Sequence, residues 1–359
     1  RASGTPGVKT EPSSPPAARP WGLGFLATLG VLLAVTVLVN PRGYYPLRLL
    51  RPRIEMLRPF RADSYAALPQ RPDLVVLGSS RAFTLSPAYI TSATALSAAN
   101  LSVEEGSVED FVVQARFMRT RHDGHLPRVI LADVTPPATD TYSGASRTAA
   151  LSPLRLLPYM SPATRAQSAR LQLRSLVDAQ HFAEALYVLL HPREHRLQGD
   201  TLRFPRWVFD GRGEALHRPA DYQADLDHFI KARGTPACET LGPWFRDNVQ
   251  GLVDLAKADG ASVVFYMGPR HPAFLDATWG RSERFRRCYD SFTAYLGELS
   301  RHDGVFFLDF LQVASFHGTA ELGEGFYDDH HPGPRNARLL IDAAAPTLRR
   351  AYAAARPTR

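Results

Sequence analysis

Short apolar runs, each about the length of a buried strand, recur along the chain from residue 70 onward. Most are rich in Val, Ile, Leu and Phe, and they lie at residues 73–79, 95–101, 127–134, 261–268 and 304–309. Continuous apolar runs of this length are typical of parallel strands that are buried on both faces. The pattern therefore predicts five strands of a parallel sheet.

Between these runs, apolar residues repeat at helical spacing. The spacing predicts helices at residues 87–90, 107–121, 244–258, 281–302 and 334–354. Ser107, followed by Asp110, forms a capping pair that marks the start of the second helix. Strands that alternate with helices predict an α/β fold, here a flavodoxin-like three-layer sandwich. With the strand order 2-1-3-4-5, the loops after strands one and five lie at the same edge.

Residues 136–240 break this alternation. They contain several prolines, the apolar helical stretch 171–190 and the glycine-containing loop 209–213, with no clear strand of the sheet type. We predict a helical insert that covers the site, packs on a membrane or a partner, or only extends the scaffold.

Residues 21–39 are strongly apolar and carry no charge. About 20 such residues span a bilayer as a helix. A buried core helix normally keeps a polar stripe, which this segment lacks. A cleaved signal peptide would have a shorter apolar run and a small-residue cleavage site before Pro41. We therefore predict a transmembrane helix that acts as an uncleaved signal anchor.

The segments on either side of this helix are rich in proline. We predict a disordered leader at residues 1–20, a juxtamembrane linker without long helices at residues 40–65, and a folded domain at residues 66–359. Basic residues are more frequent after the helix than before it, so the positive-inside rule places the domain in the cytoplasm. Long domains cross membranes largely regardless of charge, however, and the flanks therefore do not decide the orientation.

The formal net charge of +7 is spread over most segments of the 359-residue chain. A nucleic-acid interface would gather this charge into one basic stripe, so we expect no nucleic-acid partner. A basic surface also suits an anionic membrane or an acidic wall polymer. The two cysteines, Cys238 and Cys288, either form one bridge in an extracytoplasmic domain or remain buried thiols in a reducing compartment.

The first strand ends in Gly78-Ser79-Ser80-Arg81, where a parallel strand is followed by a helix. Ligands of open α/β sheets bind outside the C-terminal ends of the strands. A serine at such a turn is either a helix N-cap or a nucleophile, and a nucleophile needs a base to take its proton.

Acidic and imidazole groups are concentrated in Asp328-Asp329-His330-His331, just before the last helix. Asp328 and His331 are spaced so that the carboxylate can orient an imidazole of the same turn, which would then take the serine proton. Asp329 or His330 could replace its neighbour in either role. Such a cluster also suits a divalent metal, but no second cluster supplies further ligands, so we expect no metal.

An acyl-transfer site also needs N–H donors for an oxyanion. The amide of Ser80 is one candidate. Gly106, which ends the loop after strand two, is a second candidate or only a turn residue. The remaining polar residues of these two segments are candidates for the substrate rim: Ser79, Arg81, Asp329 and His330.

Three segments in this order resemble the SGNH/GDSL hydrolase superfamily. They are Val76-Leu77-Gly78-Ser79-Ser80 after strand one, residues 100–106 after strand two, and Asp328-x-x-His331 before the last helix. Gly-Ser-Ser with a single N-terminal anchor is similar to two membrane-anchored branches, the D-alanine transfer protein of teichoic acid modification and the alginate O-acetylation proteins. The resemblance covers residues 70–135 and 240–355.

The resemblance implies that Ser80 is the nucleophile, His331 the base, Asp328 the acid and Gly106 an oxyanion glycine. It implies a cofactor-free O-acyltransferase, anchored in the bacterial inner membrane with an extracytoplasmic domain, which acetylates a cell-surface or exported polysaccharide. A multispanning membrane O-acyltransferase is the implied partner and acyl supplier. The alternatives are an esterase or lipase that uses water, and a non-catalytic glycan-binding or scaffold subunit.

This chain departs from the family pattern at one position. The family offers an Asn side chain to the oxyanion after strand three, and residues 133–140 contain no Asn. Losing such a donor costs about 3 kcal/mol of barrier stabilisation. The departure puts hydrolysis by water in doubt more than acyl transfer.

Overall fold

The structure is a computed structural model. It describes residues 19–40, 44–45, 54–55, 57–134, 148, 152–190, 196–197, 207–209, 215–217, 222–232, 241–277 and 282–356. The predicted leader, apart from its last two residues, and Cys238 lie outside the described residues.

The central sheet contains five strands, all parallel. They are β1 (Leu74–Leu77), β2 (Ala98–Asn100), β3 (Val129–Asp133), β4 (Ser262–Met267) and β5 (Val305–Asp309). The order across the sheet is β2-β1-β3-β4-β5. This confirms the predicted strands and strand order, and it places the loops that follow the strands at one edge.

The described helices surround this sheet or belong to the N-terminal segment and the insert. They are α1 (Arg19–Val39), α2 (Leu57–Ala66), α3 (Pro87–Thr94), α4 (Val108–Met118), α5 (Pro162–Ser175), α6 (Ala179–Leu190), α7 (Tyr222–Ala232), α8 (Pro243–Ala258), α9 (Pro272–Ala277), α10 (Glu283–Leu299) and α11 (Pro334–Ala354). The helix α1 is long and apolar enough to span a membrane. Ser107 and Asp110 form the predicted capping box of α4.

The core consists of two apolar layers, one on each face of the sheet. Val75 and Leu77 of β1 face the layer formed with α4, α8 and α10. Leu74 and Val76 face the layer formed with α3 and α11. Successive side chains of a strand point to opposite faces, so this apolar strand is buried on both sides, as expected for a three-layer sandwich.

The region predicted as a linker contains the ten-residue helix α2. Pro59 lies in its first turn, where the missing N–H has no partner within a helix. Arg58 forms a buried ion pair with Asp110 of α4 (Nε–Oδ1, 2.8 Å), and Tyr65 is fully buried. The fold therefore includes residues that we predicted as linker.

The insert is more varied than predicted. The stretch predicted to be helical at residues 171–190 is helical except for a break at residues 176–178, which separates α5 from α6. The carboxylate of Asp178 accepts a hydrogen bond from the Gln180 amide at the start of α6 (2.9 Å). Outside the central sheet, Trp207–Phe209 pairs antiparallel with Ala215–His217, and Ile54–Glu55 pairs parallel with Arg196–Leu197.

Two glycines allow the loops after β1 and β2 to touch. A Cβ at Gly106 would lie 2.3 Å from the carbonyl oxygen of Gly78. That oxygen also accepts a hydrogen bond from the Val103 amide (3.0 Å). The close approach brings the end of β2 against the turn that carries Ser80.

Replacing Gly106 by Ala should destabilise the protein, because the new methyl group would force the two loops apart. Overpacking of this kind costs about 1–3 kcal/mol. Gly297→Ala is the control, since nothing lies within 4 Å of its added Cβ in α10 and Ala is the better helix former. Urea unfolding should give a lower midpoint for Gly106→Ala and an equal or higher one for Gly297→Ala. Equal midpoints for Gly106→Ala and wild type would contradict this account of the contact.

Candidate active site

The turn after β1 separates the roles of its two serines. Ser79 is the N-cap of the short 3-10 helix Ser80–Ala82, and its Oγ accepts a hydrogen bond from the Arg81 amide (3.4 Å). The same hydroxyl donates to Asp133 Oδ2 at 3.3 Å. Ser79 is therefore a buried capping residue, and Ser80 is the serine whose hydroxyl is directed at the C-terminal loop.

Ser80 and the C-terminal loop meet in a hydrogen-bonded chain. Ser80 Oγ lies 2.8 Å from His331 Nε2, although 251 positions separate the residues. His331 Nδ1 lies 2.6 Å from Asp328 Oδ2. A carboxylate accepts only, so Nδ1 donates its proton to Asp328, and Nε2 is left to accept the proton of Ser80. The contact expected between these three residues is present.

The Asp328 carboxylate is buried and receives three N–H donors. Its Oδ1 accepts from the amides of His330 and His331, each at 2.9 Å, while Oδ2 faces the His331 ring. Burial alone raises the pKa of Asp328, but His331, His330 and these hydrogen bonds outweigh it and hold the pKa well below 3.8. The carboxylate therefore stays ionised next to the base.

A second buried cluster lies beside this chain. Arg270 Nη1 donates to Asp329 Oδ2 at 3.1 Å, and His330 Nδ1 lies 2.6 Å from Asp329 Oδ1. The side chain of Asp329 is fully buried and that of Arg270 is only 2% exposed. The two backbones are joined as well, since the His271 amide donates to the Asp329 carbonyl at 2.9 Å.

The structure thus places Asp329 in the interior, paired with an arginine from another loop, and not at the rim where we expected it. Arg270 was not among the residues predicted from the sequence. A signal was available, because Gly268-Pro269-Arg270-His271 directly follows a predicted strand at the edge where the site was expected.

His330 packs against the proposed base. The two imidazole centroids are 3.9 Å apart with a 39° angle between the rings. Burial lowers the pKa of His330 from 6.5 to about 3, although Asp329 partly opposes the shift. Burial therefore favours the neutral form of the His330 ring that packs against His331.

Gly106 lies near the turn, but its amide donates to the Val103 carbonyl at 3.0 Å. The prediction that this N–H serves an oxyanion is not met in this arrangement, and Gly106 instead permits the close contact with Gly78. The Ser80 amide opens its 3-10 turn and has no acceptor within that turn. Asn100, at the end of β2, donates a hydrogen bond from Nδ2 to the Ala82 carbonyl (2.7 Å).

Arg81 forms an ion pair with Asp133, the last residue of β3. Arg81 Nε lies 3.0 Å from Asp133 Oδ2, and the side chain of Arg81 is 10% exposed. This pair places a guanidinium beside the turn that carries Ser80, so Arg81 remains a candidate rim residue. Residues 135–140 of the predicted Asn-free loop lie outside the described residues.

Asp328, His330 and His331 also offer ligand atoms within 4.8 Å of one another, as a metal site would require. The Nδ1 atoms of both histidines, however, lie 2.6 Å from carboxylate oxygens, and the remaining nitrogen of His331 contacts Ser80. A divalent ion would compete with these hydrogen bonds. The arrangement fits proton transfer better than metal binding.

The chain matches no protein-family model and no curated protein. The chemistry of the site therefore has to be argued from its own geometry.

His330 should make stability depend on pH. Its folded pKa of about 3 lies below the ordinary 6.5, so the unfolded chain binds the extra proton as pH falls through this window. Above pH ~6.5, His330 does not make the unfolding free energy depend on pH. Below pH ~6.5, it lowers the unfolding free energy by at most about 1.4 kcal/mol per pH unit. His330→Asn, which keeps a donor for Asp329, should lose less unfolding free energy between pH 6.5 and 4.5 than wild type.

Urea unfolding at several pH values measures this difference. The exposed residue His302 provides the control, and His302→Asn should follow wild type. Parallel pH profiles for His330→Asn and wild type would show that His330 is not held neutral by burial.

Proposed function

We propose that this protein is a membrane-anchored serine acyl-ester enzyme, and specifically an O-acyltransferase that acetylates a hydroxyl group of a cell-surface or exported polysaccharide. The observation that carries the proposal is the continuous chain from Ser80 through His331 to Asp328, with spacings of 2.8 and 2.6 Å. The acetyl group, the polysaccharide acceptor and a multispanning membrane O-acyltransferase as acyl supplier rest on the resemblance of the three segments.

In the first half of the reaction, His331 Nε2 takes the proton of Ser80 as Oγ attacks the acyl carbonyl. The Ser80 amide donates to the oxyanion, and Asp328 stabilises the imidazolium. The tetrahedral intermediate expels the donor alcohol, which takes the proton from His331. In the second half, His331 takes the proton of the acceptor hydroxyl as its oxygen attacks the acyl-enzyme. The second tetrahedral intermediate then expels Ser80 Oγ, which takes the proton back from His331.

The buried Asp329 bears on the same step. Its carboxylate pairs with Arg270 and is hydrogen-bonded to His330, whose ring packs against His331. His330 stays neutral against His331, so no second cation opposes formation of the imidazolium. The two clusters together suit a base that gains and loses one proton in each half-reaction.

Two features, the helix α1 and the cysteine Cys288, bear on the cellular compartment of the domain. The apolar helix α1 supports a single-pass anchor. Cys288 of α10 is buried and disulfide-bonded, which favours the bridge over a pair of thiols. Disulfides persist in oxidising compartments and are rare in the cytosol. This supports an extracytoplasmic domain at the bacterial inner membrane, against the distribution of basic residues around α1.

A fluorophosphonate should label wild-type protein on Ser80 and leave Ser80→Ala unlabelled, because the probe reacts with a serine activated by a base. Hydrolysis of nitrophenyl acetate should fall by a factor on the order of 10³ or more in Ser80→Ala. Ser79→Ala is the matched control, since it removes the neighbouring hydroxyl, which donates to Asp133 and caps the 3-10 turn, a cap being worth about 1 kcal/mol. Equal labelling of Ser80→Ala and wild type would remove Ser80 from the mechanism.

The acceptor can be tested with nitrophenyl acetate and a methyl glycoside. An acyltransferase should form the acetylated glycoside, detected by mass spectrometry, at the expense of free acetate as the glycoside concentration rises. Acetate as the sole product at every concentration would favour the esterase alternative. No difference between wild type and Ser80→Ala in either product would favour a non-catalytic subunit.

A further inference from the structure

Large hydrophobic side chains are exposed in only one region of the described part of the chain. Half of them lie on the proposed span α1, and the other half lie on α5, α6 and the turn between them. They are Leu23, Phe25, Leu26, Val31 and Leu38 on α1, and Leu173, Val177, Leu186, Leu189 and Leu190 on the insert. The α/β domain itself covers its large apolar side chains.

The insert residues are held beside the end of α1. Ala185 and Val188 of α6 pack against Val35 and Val39, which lie in the last turns of the span. On the same side, the hydroxyls of Tyr45 and Ser175 are 2.8 Å apart. If α1 crosses a bilayer, its last turns lie at the membrane surface, and α6 must then lie at that level.

The exposed face of α6 adjoins the face that packs on α1. Leu186, Leu189 and Leu190 are spaced three and four residues apart, so they lie on one side of the helix. Leu190 is 67% exposed, and Leu173 at the end of α5 is 66% exposed. These residues continue the apolar surface of α1. If this face lay in water, five large apolar side chains would be exposed to solvent.

Basic side chains flank this apolar surface. Arg170 and Arg174 of α5 are exposed on either side of Leu173 in the sequence. Arginines beside apolar residues are typical of helices that lie in the membrane interface, where the cations meet anionic headgroups.

From this continuity we propose that α6 and the end of α5 form an interfacial membrane surface, with Leu173, Val177, Leu186, Leu189 and Leu190 embedded in lipid beside α1. The proposal needs α1 to span the membrane, but it does not depend on the acyl-transfer chemistry. The lipid bilayer is the occupant, because it already covers the adjoining apolar face of α1.

The full chain should be reconstituted in vesicles of phosphatidylethanolamine and phosphatidylglycerol, with one engineered cysteine carrying an environment-sensitive fluorophore. Cys288 is disulfide-bonded, so labelling is done without reductant. Leu189→Cys is the test position, Val31→Cys in the span is the positive control, and the exposed Ala353→Cys on α11 is the negative control.

We expect the probe at position 189 to be quenched by spin-labelled lipid nearly as strongly as at position 31, and to be shielded from aqueous iodide. Position 353 should show the reverse. A probe at position 189 that behaves like the one at 353 would overturn the proposal. So would shielding that appears only when native membrane proteins are present, or cross-linking of position 189 to a second copy, because a protein would then be the occupant. The fluorophosphonate reaction of the Leu189→Cys variant reports separately on Ser80.

Discussion

The Asp328 carboxylate fixes the geometry on which the site depends. It accepts two backbone amides of its own turn and the ring nitrogen of His331. A carboxylate that receives three donors cannot rotate without leaving one of them unsatisfied in a buried environment, which costs about 1–3 kcal/mol for each lost partner. The imidazole is therefore held in one tautomer and one orientation, and the proton acceptor faces Ser80.

That arrangement creates an electrostatic problem, since a second buried carboxylate follows immediately. Two adjacent negative charges away from water would favour protonation of one of them or of a neighbouring histidine. Arg270 resolves this by pairing with Asp329. Burial keeps His330 neutral at the same time. The guanidinium comes from the loop after β4, so the balance of charge depends on the correct assembly of the whole sheet edge.

The strands of the sheet and the hydrogen-bonded residues Ser80, His331 and Asp328 could be predicted because each has a local signal. The strand order followed from the predicted fold class. Strands were marked by apolar runs, α4 by its capping pair, and the base by Asp328 and His331 in one turn. The only signal for Arg270 was its position directly after a predicted strand, because its pairing with Asp329 depends on where the loop after β4 meets the C-terminal loop. The burial of Asp329 had no local signal, since a sequence of charged and polar residues normally indicates a solvated loop.

Gly106 and the insert show a different limit. A glycine after a strand signals backbone freedom, but only the distance to Gly78 shows that close contact is what requires it. In residues 171–190, apolar composition continues through a break that depends on one side-chain hydrogen bond of Asp178. Hydrophobic periodicity shows neither the contact between Gly106 and Gly78 nor the hydrogen bond between Asp178 and Gln180.

The connection from the span to the site has a consequence for how substrates arrive. The end of α1 packs against α6. The helix α5 contacts α4 through the hydrogen bond that Thr164 donates to Glu109. The helix α4 begins at the loop that touches the Ser80 turn. These contacts restrict rotation of the domain about α1, so the Ser80 turn would keep a fixed height above the lipid if α1 spans a membrane as proposed. For the proposed acyltransferase, an acceptor polysaccharide would have to reach Ser80 at that height.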